Sequence, residues 1–432
     1  MEVNYELFVN TLFMKAQAKG IPLSGSFELT ARCNFDCRMC YIHRRSRDRE
    51  ALMGEKNADW WVTLAKQAKE HGTLLLLLTG GEPLLRRDFD EIYTACKSLG
   101  LLTSVNTNGV LLDEDKLRMF REYPPQRVNI SLYGASPETY GRLCGDPDAY
   151  GVVTESIIRL HEAGIGVRIN YSATPDNVGD AAAIQAFADR YGLPVQATFH
   201  MFPPVRSCGE AVRLSPEDAA KAQYEWHKRR LGESELKARA EGLKPGSVRE
   251  CDPECGERLS CRAGSASFWV TWDGKMSPCG MMTEPSVPLD DFGEAWREIM
   301  RCSREIFLPP QCSGCDKLPQ GRRISATAAR QINLNIIPRG LFQKGLYIIF
   351  QYHGGYENVQ KETFDCSEPC PCALHACEHR CSRASGSCCR DSRLHQRRSF
   401  ADSHCGRLSG SHSAAECRVG CPSVPRSVRH AA

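Results

Sequence analysis

From Ser26 to Pro204, short apolar runs alternate with amphipathic segments, and this alternation constrains the fold more than any other feature of the chain. SFELT reads as a first strand. DWWVTLAKQAKEHG follows, with Trp61, Leu64, Ala65 and Ala68 at helical spacing on one face. The series continues with TLLLLLTG, the helix DFDEIYTACKSLG, LTSVNTNG, the helix DEDKLRMFREYP and RVNISLYG. It closes with the helix GVVTESIIRLHEAG, VRINYSAT, the helix AAAIQAFADRYG and VQATFHMFPP. Strand exits end in Gly, Pro or Asn, and helices open with Asp or Ser caps. Six such units predict an α/β fold, a partial (β/α)6 parallel barrel. The segments TGGEP, NTNG and SLYG, and a cysteine-rich loop after SFELT, all fall at the C-terminal ends of strands. Parallel α/β architectures place their reactive groups at that edge.

The loop is ELTARCNFDCRMCYIHRR, with Cys33, Cys37 and Cys40 spaced C-x3-C-x2-C. Three thiolates at this spacing can ligate three irons of a cubane cluster and leave the fourth iron open to a small chelating ligand. A tetrahedral zinc site would need a fourth protein donor, and none stands nearby in the usual C-x2-C or H-x3-H pairing. His43 reads as a solvated loop residue. The chain carries 23 cysteines. In a reducing compartment such clustering points to metal or redox chemistry, whereas the isolated Cys96, Cys144 and Cys208 read as small buried hydrophobes. Lys and Arg (55) nearly balance Asp and Glu (52), so no global field favours nucleic acid or an anionic membrane. Glu2 and Glu6 interrupt any N-terminal signal sequence, and TLLLLLTGGEP is far shorter than the roughly 20 residues that cross a bilayer. A soluble, cytoplasmic protein without nucleic-acid or membrane partners is expected.

With these motifs at successive strand ends, the sequence resembles the radical S-adenosylmethionine (SAM) superfamily over roughly Phe27 to Cys315. The resemblance implies that Cys33, Cys37 and Cys40 hold a [4Fe-4S] cluster whose open iron is chelated by SAM. Reductive cleavage of SAM then yields a 5′-deoxyadenosyl radical that abstracts hydrogen from a substrate. Gly80, Gly81, Glu82 and Pro83 match the family segment that contacts the SAM amino group; physically, the glycines let backbone approach a ligand and Glu82 adds a carboxylate near a cationic centre. Asn106 and Ser131 stand at the third and fourth strand ends, where Ser131 would reach the ribose or carboxylate of SAM. Arg142 offers a guanidinium fork to that carboxylate, or is a solvated helix charge. Met39, just before Cys40 with Tyr41 on that cysteine's other side, stands where many relatives carry an aromatic residue and gives an apolar cover for adenine.

A second module spans 251–320 and follows a helical linker over 207–250. CRAGSASFWVTWDGKMSPCGMM places Cys261 and Cys279 around a hairpin turning at Asp273-Gly274. The arrangement resembles the opening of the SPASM auxiliary-cluster domain, to which Cys312 and Cys315 add a C-x2-C pair. The next ligands of that pattern would fall at Gly321 and Ser325, so the module is incomplete as written. Cys261, Cys279, Cys312 and Cys315 can still hold a second cluster or a zinc, with Cys251 and Cys255 upstream. From 321 to 432 the composition changes: after Glu362 there is no Lys, Met, Trp, Tyr, Ile or Asn. Such a tail is expected to be largely disordered. A change of reading frame near Gln320 accounts for the break, in preference to a new metal site at Cys366–Cys381.

The resemblance therefore implies a radical SAM oxidoreductase or maturase acting on a peptide, protein or small molecule, with peptide or protein modification foremost. A low-potential donor such as flavodoxin or ferredoxin would supply electrons. The alternatives are a non-catalytic iron-sulfur or zinc-binding electron-transfer protein and a cofactor-biosynthesis cyclase. No side chain is nominated as a catalytic acid or base. A helical segment over 1–22 precedes the barrel of 23–206.

Overall fold

The computed structural model describes residues 5–42, 44–201, 206, 212–236, 261–306, 347–348 and 359–360. The chain divides into Met1–Glu378 and His379–Ala432, and every described residue lies in the first of these units.

All six predicted strands form and pair side by side. They are β1 (Ser24–Glu28), β2 (Leu75–Thr79), β3 (Leu102–Thr107), β4 (Arg127–Ser131), β5 (Val167–Ser172) and β6 (Val195–Thr198). Every neighbour in the order β1-β2-β3-β4-β5-β6 is parallel, as strand–helix repetition demands. The predicted helices are α3 (Ala58–Glu70), α4 (Phe89–Ser98), α5 (Glu114–Glu122), α7 (Ala149–Glu162) and α8 (Ala181–Arg190). Helix α1 (Tyr5–Lys19) lies within the segment 1–22 expected to be helical, and two further helices are α2 (Arg49–Gly54) and α6 (Pro137–Cys144). Local chemistry sets their ends. Asn57 and Asp113 accept the backbone N–H of Trp60 and Lys116, and Ser136 caps α6, which has Pro137 in its first turn and stops at Gly145, φ 79°.

One face of the sheet is apolar. Phe27, Leu76, Leu78, Val105, Val128, Ile130 and Ile169 join Trp61, Ile92, Phe120, Ile157 and Ile184 from the helices in one buried core. The predicted α3 face of Trp61, Leu64, Ala65 and Ala68 is buried as expected. Each such large side chain contributes about 1.5–3 kcal/mol on burial. Cys96 is fully buried in this core, as a small hydrophobe should be.

The C-terminal module does not form a separate sheet among the described residues. Strand β7 (Ser267–Val270) pairs parallel with β1, β8 (Lys275–Ser277) folds back antiparallel on β7, and β9 (Val287–Pro288) pairs with β8, giving nine strands in all. The hairpin turns at Asp273-Gly274 as predicted, with Gly274 at φ 86°. Helix α10 (Phe292–Arg304) covers it, Phe292 packing on Phe268 at 5.2 Å and Trp296 Nε1 donating to Gly20 O at 2.7 Å. Within the predicted linker, α9 (Pro216–Leu231) forms and buries Trp226 against Tyr171 and Phe199. His43, Cys208, Cys251, Cys255, Cys312, Cys315, Gly321 and Ser325 lie outside the described residues, as does the tail apart from the pair Tyr347–Ile348 and Val359–Gln360. Among the described residues, no helix is long and apolar enough to cross a membrane.

Candidate functional site

The cysteine loop leaves the C-terminal end of β1 and is pinned from below by backbone. Gly81 N donates to Thr30 O at 2.7 Å and Glu82 N to Arg32 O at 2.8 Å. This contact is the reason for the glycines. A Cβ on Gly80, whose φ is 151°, would run into Thr30 O, and one on Gly81 into the backbone of Ala31 and Arg32. The close approach expected toward a ligand is thus, in the described structure, an approach to the chain's own cysteine loop. Alanine at Gly81 should cost about 3 kcal/mol or more, because the obstructing atoms are backbone and cannot rotate away. Denaturant unfolding of Gly81→Ala measures this, and a change under about 0.5 kcal/mol would contradict it.

Charged side chains brace the loop from both flanks. Arg32 grips Glu55 with two hydrogen bonds of 2.6 and 2.9 Å. The buried Arg86 donates to Leu29 O at 2.8 Å and Lys56 O at 2.9 Å while paired to Asp88. A loop held this way presents its thiols on a fixed frame.

Cys33, Cys37 and Cys40 are all half-buried. Cys40 N donates to Cys37 O at 3.0 Å, which closes the turn between the second and third. Cys33 Sγ accepts two N–H groups, from Phe35 backbone at 3.4 Å and from Asn108 Nδ2 at 3.7 Å. Burial pushes the Cys33 thiol well up, with Glu82, Cys37 and Cys40 adding to the rise. Cys37 is raised first by a side-chain hydrogen bond with Cys144 and then by burial. Cys144 is therefore not an isolated core thiol: it abuts Cys37, and Leu143 and Cys144 carbonyls accept the Arg38 and Asp36 N–H groups. Thiols held neutral by burial become thiolates when a cationic iron centre is present.

Glu82 lies under the loop with no exposed surface. Its carboxylate accepts from Thr107 Oγ1 at 2.8 Å, Asn108 N at 2.7 Å and Leu84 N at 3.0 Å. Burial pushes it up to about 7. Its oxygens are engaged with the β3 exit, so Glu82 ties two strand ends together; the open carboxylate expected for a cationic ligand is not what the geometry offers. Pro83 starts the short turn behind it. Asn108, buried beside Glu82, also donates to Asn34 Oδ1 at 2.8 Å. It is the NTNG residue that touches the cysteine loop, whereas Asn106 accepts from Asn129 at 2.8 Å on the sheet face. Ser131 ends β4, half-buried, opposite Asn170. Arg142 is on the rim, donating to Thr139 Oγ1 and Asp176 O, both at 3.2 Å. Met39 is buried in the main core.

A further buried network was not anticipated. Glu28, the last residue of β1, has no exposed surface and is gripped by Arg206 through bonds of 2.7 and 2.6 Å. Trp269 Nε1 of β7 donates to the same carboxylate at 3.1 Å. Arg206 also lies over the Tyr41 ring at 5.3 Å, and its N–H donates to Tyr41 O at 3.1 Å. The period of 2 along SGSFE puts Glu28 on one face with Ser24 and Ser26, a signal that could have found it.

Cys261 and Cys279 flank the β7–β8 hairpin, both half-buried. Each sulfur accepts a backbone N–H, from Ala263 at 3.5 Å and from Met281 at 3.4 Å. Burial pushes Cys279 up to about 11, with Cys261 adding to the rise. The described structure thus brings these two together; Cys312 and Cys315 lie outside it.

Among the described residues, no three His, Cys, Asp or Glu side chains converge on a single metal ion. Three thiols on a braced loop, of which Cys33 accepts two N–H groups, suit a cubane cluster, whose irons each take one protein sulfur.

Comparison with known proteins agrees with this chemistry. Residues 27–187 match the model of the radical SAM superfamily. The AdoMet-dependent heme synthase of Methanosarcina barkeri is 27% identical over 342 residues, covering 74% of this chain and 96% of that protein. The probable GTP 3′,8-cyclase of Sulfurisphaera tokodaii is 28% identical over 278 residues, covering 61% and 82%. Among solved structures, Streptococcus suis SuiB bound to precursor peptide SuiA aligns with a TM-score of 0.51 at 19% identity, over 71% of this chain and 73% of that one. Native anSMEcpe with bound AdoMet aligns with a TM-score of 0.51 at 16% identity, over 66% and 83%. At such identity the two structures speak for the fold alone, a partial α/β barrel. Residues 27–187 thus carry a radical SAM domain, and members of that superfamily use a [4Fe-4S] cluster and S-adenosylmethionine.

Proposed function

We propose that this radical SAM enzyme abstracts hydrogen from a small biosynthetic substrate held on the polar face of its sheet, with Cys33, Cys37 and Cys40 as the cluster ligands. The observation that carries the proposal is the braced loop, in which the three thiols stand at a strand end with Asn108 and Phe35 N–H groups directed at Cys33. When bound, the cluster and SAM together supply one-electron chemistry that initiates hydrogen abstraction. The chain's own residues do the holding. Arg32, Glu55 and Arg86 fix the loop, and the Gly80–Glu82 backbone locks it to β2. Ser131 and Asn106 stand at strand ends on the same edge, where SAM polar groups would find hydrogen-bond partners, and Arg142 on the rim can meet an anionic group of SAM. Cys261 and Cys279 would supply two ligands of an auxiliary cluster, with Cys312 and Cys315 as further donors.

A small-molecule substrate is favoured over a peptide because the heme synthase relative aligns over most of both chains. The peptide-maturase reading rests on fold likeness to SuiB and anSMEcpe. Anaerobic reconstitution with iron and sulfide, then SAM and dithionite, tests the catalytic core. Formation of 5′-deoxyadenosine and methionine in equal amounts is expected. A chain that holds its cluster and yields neither product would overturn the reading.

A further inference from the structure

Soon after the third cysteine the chain turns basic, with Arg44, Arg45, Arg47 and Arg49 crowded into RRSRDRE. The fold ties this segment to the cysteine loop. Arg44 and Arg45 pair in parallel with Arg32 and Cys33, so the backbone of Arg45 runs beside the first cysteine at the spacing of neighbouring strands, about 4.8 Å. Asp48 N donates to Arg45 O at 3.0 Å and Arg32 Nη1 to Ser46 O at 3.1 Å, which fixes the turn that follows. Helix α2 begins at once, with Ala51 N donating to Asp48 Oδ1 at 2.9 Å. Ala51 packs with Ala31 and Ile42 in a small core that Cys40 and Tyr41 also join. The inner side of α2 therefore lies against the third cysteine.

The outer side of the same turn and helix faces solvent, and two features there point to a protein ligand. The first is charge. Arg45 pairs with Asp36, and Arg44 with Asp48 and Glu50, so the carboxylates of this stretch are taken. Arg47 and Arg49 are exposed, and their side chains have no partner among the described residues. Arg49 opens α2, where the positive end of a helix disfavours a cation, so local stability does not account for it. The second is apolar surface. Leu52 is 48% exposed and Met53 88%, on the helix that carries Arg49. Exposed apolar side chains rimmed by unpaired charge mark surfaces where proteins meet, and methionine adapts to the partner it covers.

We infer that Arg47 and Arg49, with Leu52 and Met53, form the docking surface for the protein that delivers the electron, an acidic one-electron carrier. The inference rests on the catalytic reading above and adds its partner, since that reading draws an electron from outside the chain. A carrier has to bring its redox group close to the cysteine loop. This surface stands one strand away from Cys33 and one helix away from Cys40. Unpaired cations select an anionic partner and steer its approach. A small, charge-led contact also suits the weak, transient encounters of electron carriers, which leave after each delivery. The docked carrier gives up one electron; no bond breaks and no proton moves with it.

Biolayer interferometry of the full-length, reconstituted protein with two oxidised acidic carriers, an FMN-loaded flavodoxin and a [2Fe-2S] ferredoxin, tests this. At least one should bind, and its affinity should fall roughly tenfold or more between low and physiological salt. The double variant Arg47→Glu, Arg49→Glu should weaken that carrier by roughly tenfold or more, and Met53→Asp should weaken it several-fold. The charge-matched control Arg118→Glu, Arg121→Glu, on the exposed side of α5, should not. Turnover gives a second readout. Formation of 5′-deoxyadenosine driven by the carrier should fall by a like factor in the double variant, while formation driven by dithionite stays unchanged. Binding of neither carrier, binding indifferent to salt, undiminished binding by the double variant, or a loss that dithionite shares in a correctly folded variant would overturn the inference. The salt dependence needs no variant, so misfolding cannot mask the answer. The catalytic reading fails separately: a protein that binds a carrier through Arg47 and Arg49 but forms no 5′-deoxyadenosine even with dithionite would refute that reading and leave the docking surface standing.

Discussion

Alanine in place of any one of Cys33, Cys37 and Cys40 should leave a folded chain that retains no catalytic cluster and forms no detectable 5′-deoxyadenosine. A cubane capped by three protein thiolates cannot lose one without exposing a second iron. Cys144 is a nearby thiol, but it is buried and already engaged in a hydrogen bond with Cys37. The control is Cys96→Ala, which removes a thiol from the core and should cost about 1 kcal/mol of stability with the cluster intact. Asn108→Ala falls between them. It deletes the amide that donates to Cys33 Sγ and Asn34 Oδ1, and loss of an outer partner of this kind costs roughly 10–100-fold in metal retention. Iron and sulfide content per chain, read with deoxyadenosine yield, separates the three classes. Full activity in Cys37→Ala would remove the basis of the proposed site.

The features legible in the sequence were those that depend on local pattern. Period-2 strands and helix caps gave the six parallel strands in their observed order, and Trp61, Leu64, Ala65 and Ala68 gave the buried face of α3. The Asp273-Gly274 hairpin was legible because a turn of that shape needs φ above zero, which glycine accepts without strain. Helix α6 carried its own signals, Ser136 and Pro137 at the start and Gly145 at the end, inside a stretch read only for its SLYG strand end. What sequence could not supply was long-range pairing. Glu28 and Arg206 are 178 residues apart, and nothing local to either names the other. Cys144 meets Cys37 only because α6 packs against the cysteine loop. The glycines of TGGEP signal that something approaches closely, and the fold shows that the backbone of Thr30 to Arg32 does so. The same distinction applies to Glu82, a lone carboxylate in the sequence that three donors surround in the fold.

Arg206→Met should destabilise the protein by about 3–5 kcal/mol near neutral pH, because it strands the Glu28 carboxylate in a site with no exposed surface. In the intact protein, burial already pushes the Glu28 carboxyl above its ordinary value of 4.5, against the opposing pull of Arg206 and the hydrogen bond from Trp269. Without the guanidinium the rise is larger. The folded variant then binds a proton at a pH where the unfolded chain does not, so its penalty is complete above the folded-state value and shrinks as the pH falls toward 4.5. Urea titrations at neutral pH and near pH 5 should therefore show the variant recovering part of its lost stability on acidification, relative to the unsubstituted protein at each pH. The double variant Glu28→Gln, Arg206→Met should be more stable than Arg206→Met alone at neutral pH, since it removes the charge that was left unpaired. Equal losses at both pH values would mean that packing of the arginine stem over Tyr41, not the ion pair, carries the effect. The consequence reaches the cluster. Arg206 is the single described residue that touches the β1 end, the backbone of Tyr41 next to Cys40 and, through Gly280 O at 3.4 Å, the hairpin that bears Cys279. Loosening it should lower iron retention in the cysteine loop as well as global stability, although Arg206 contributes no ligand.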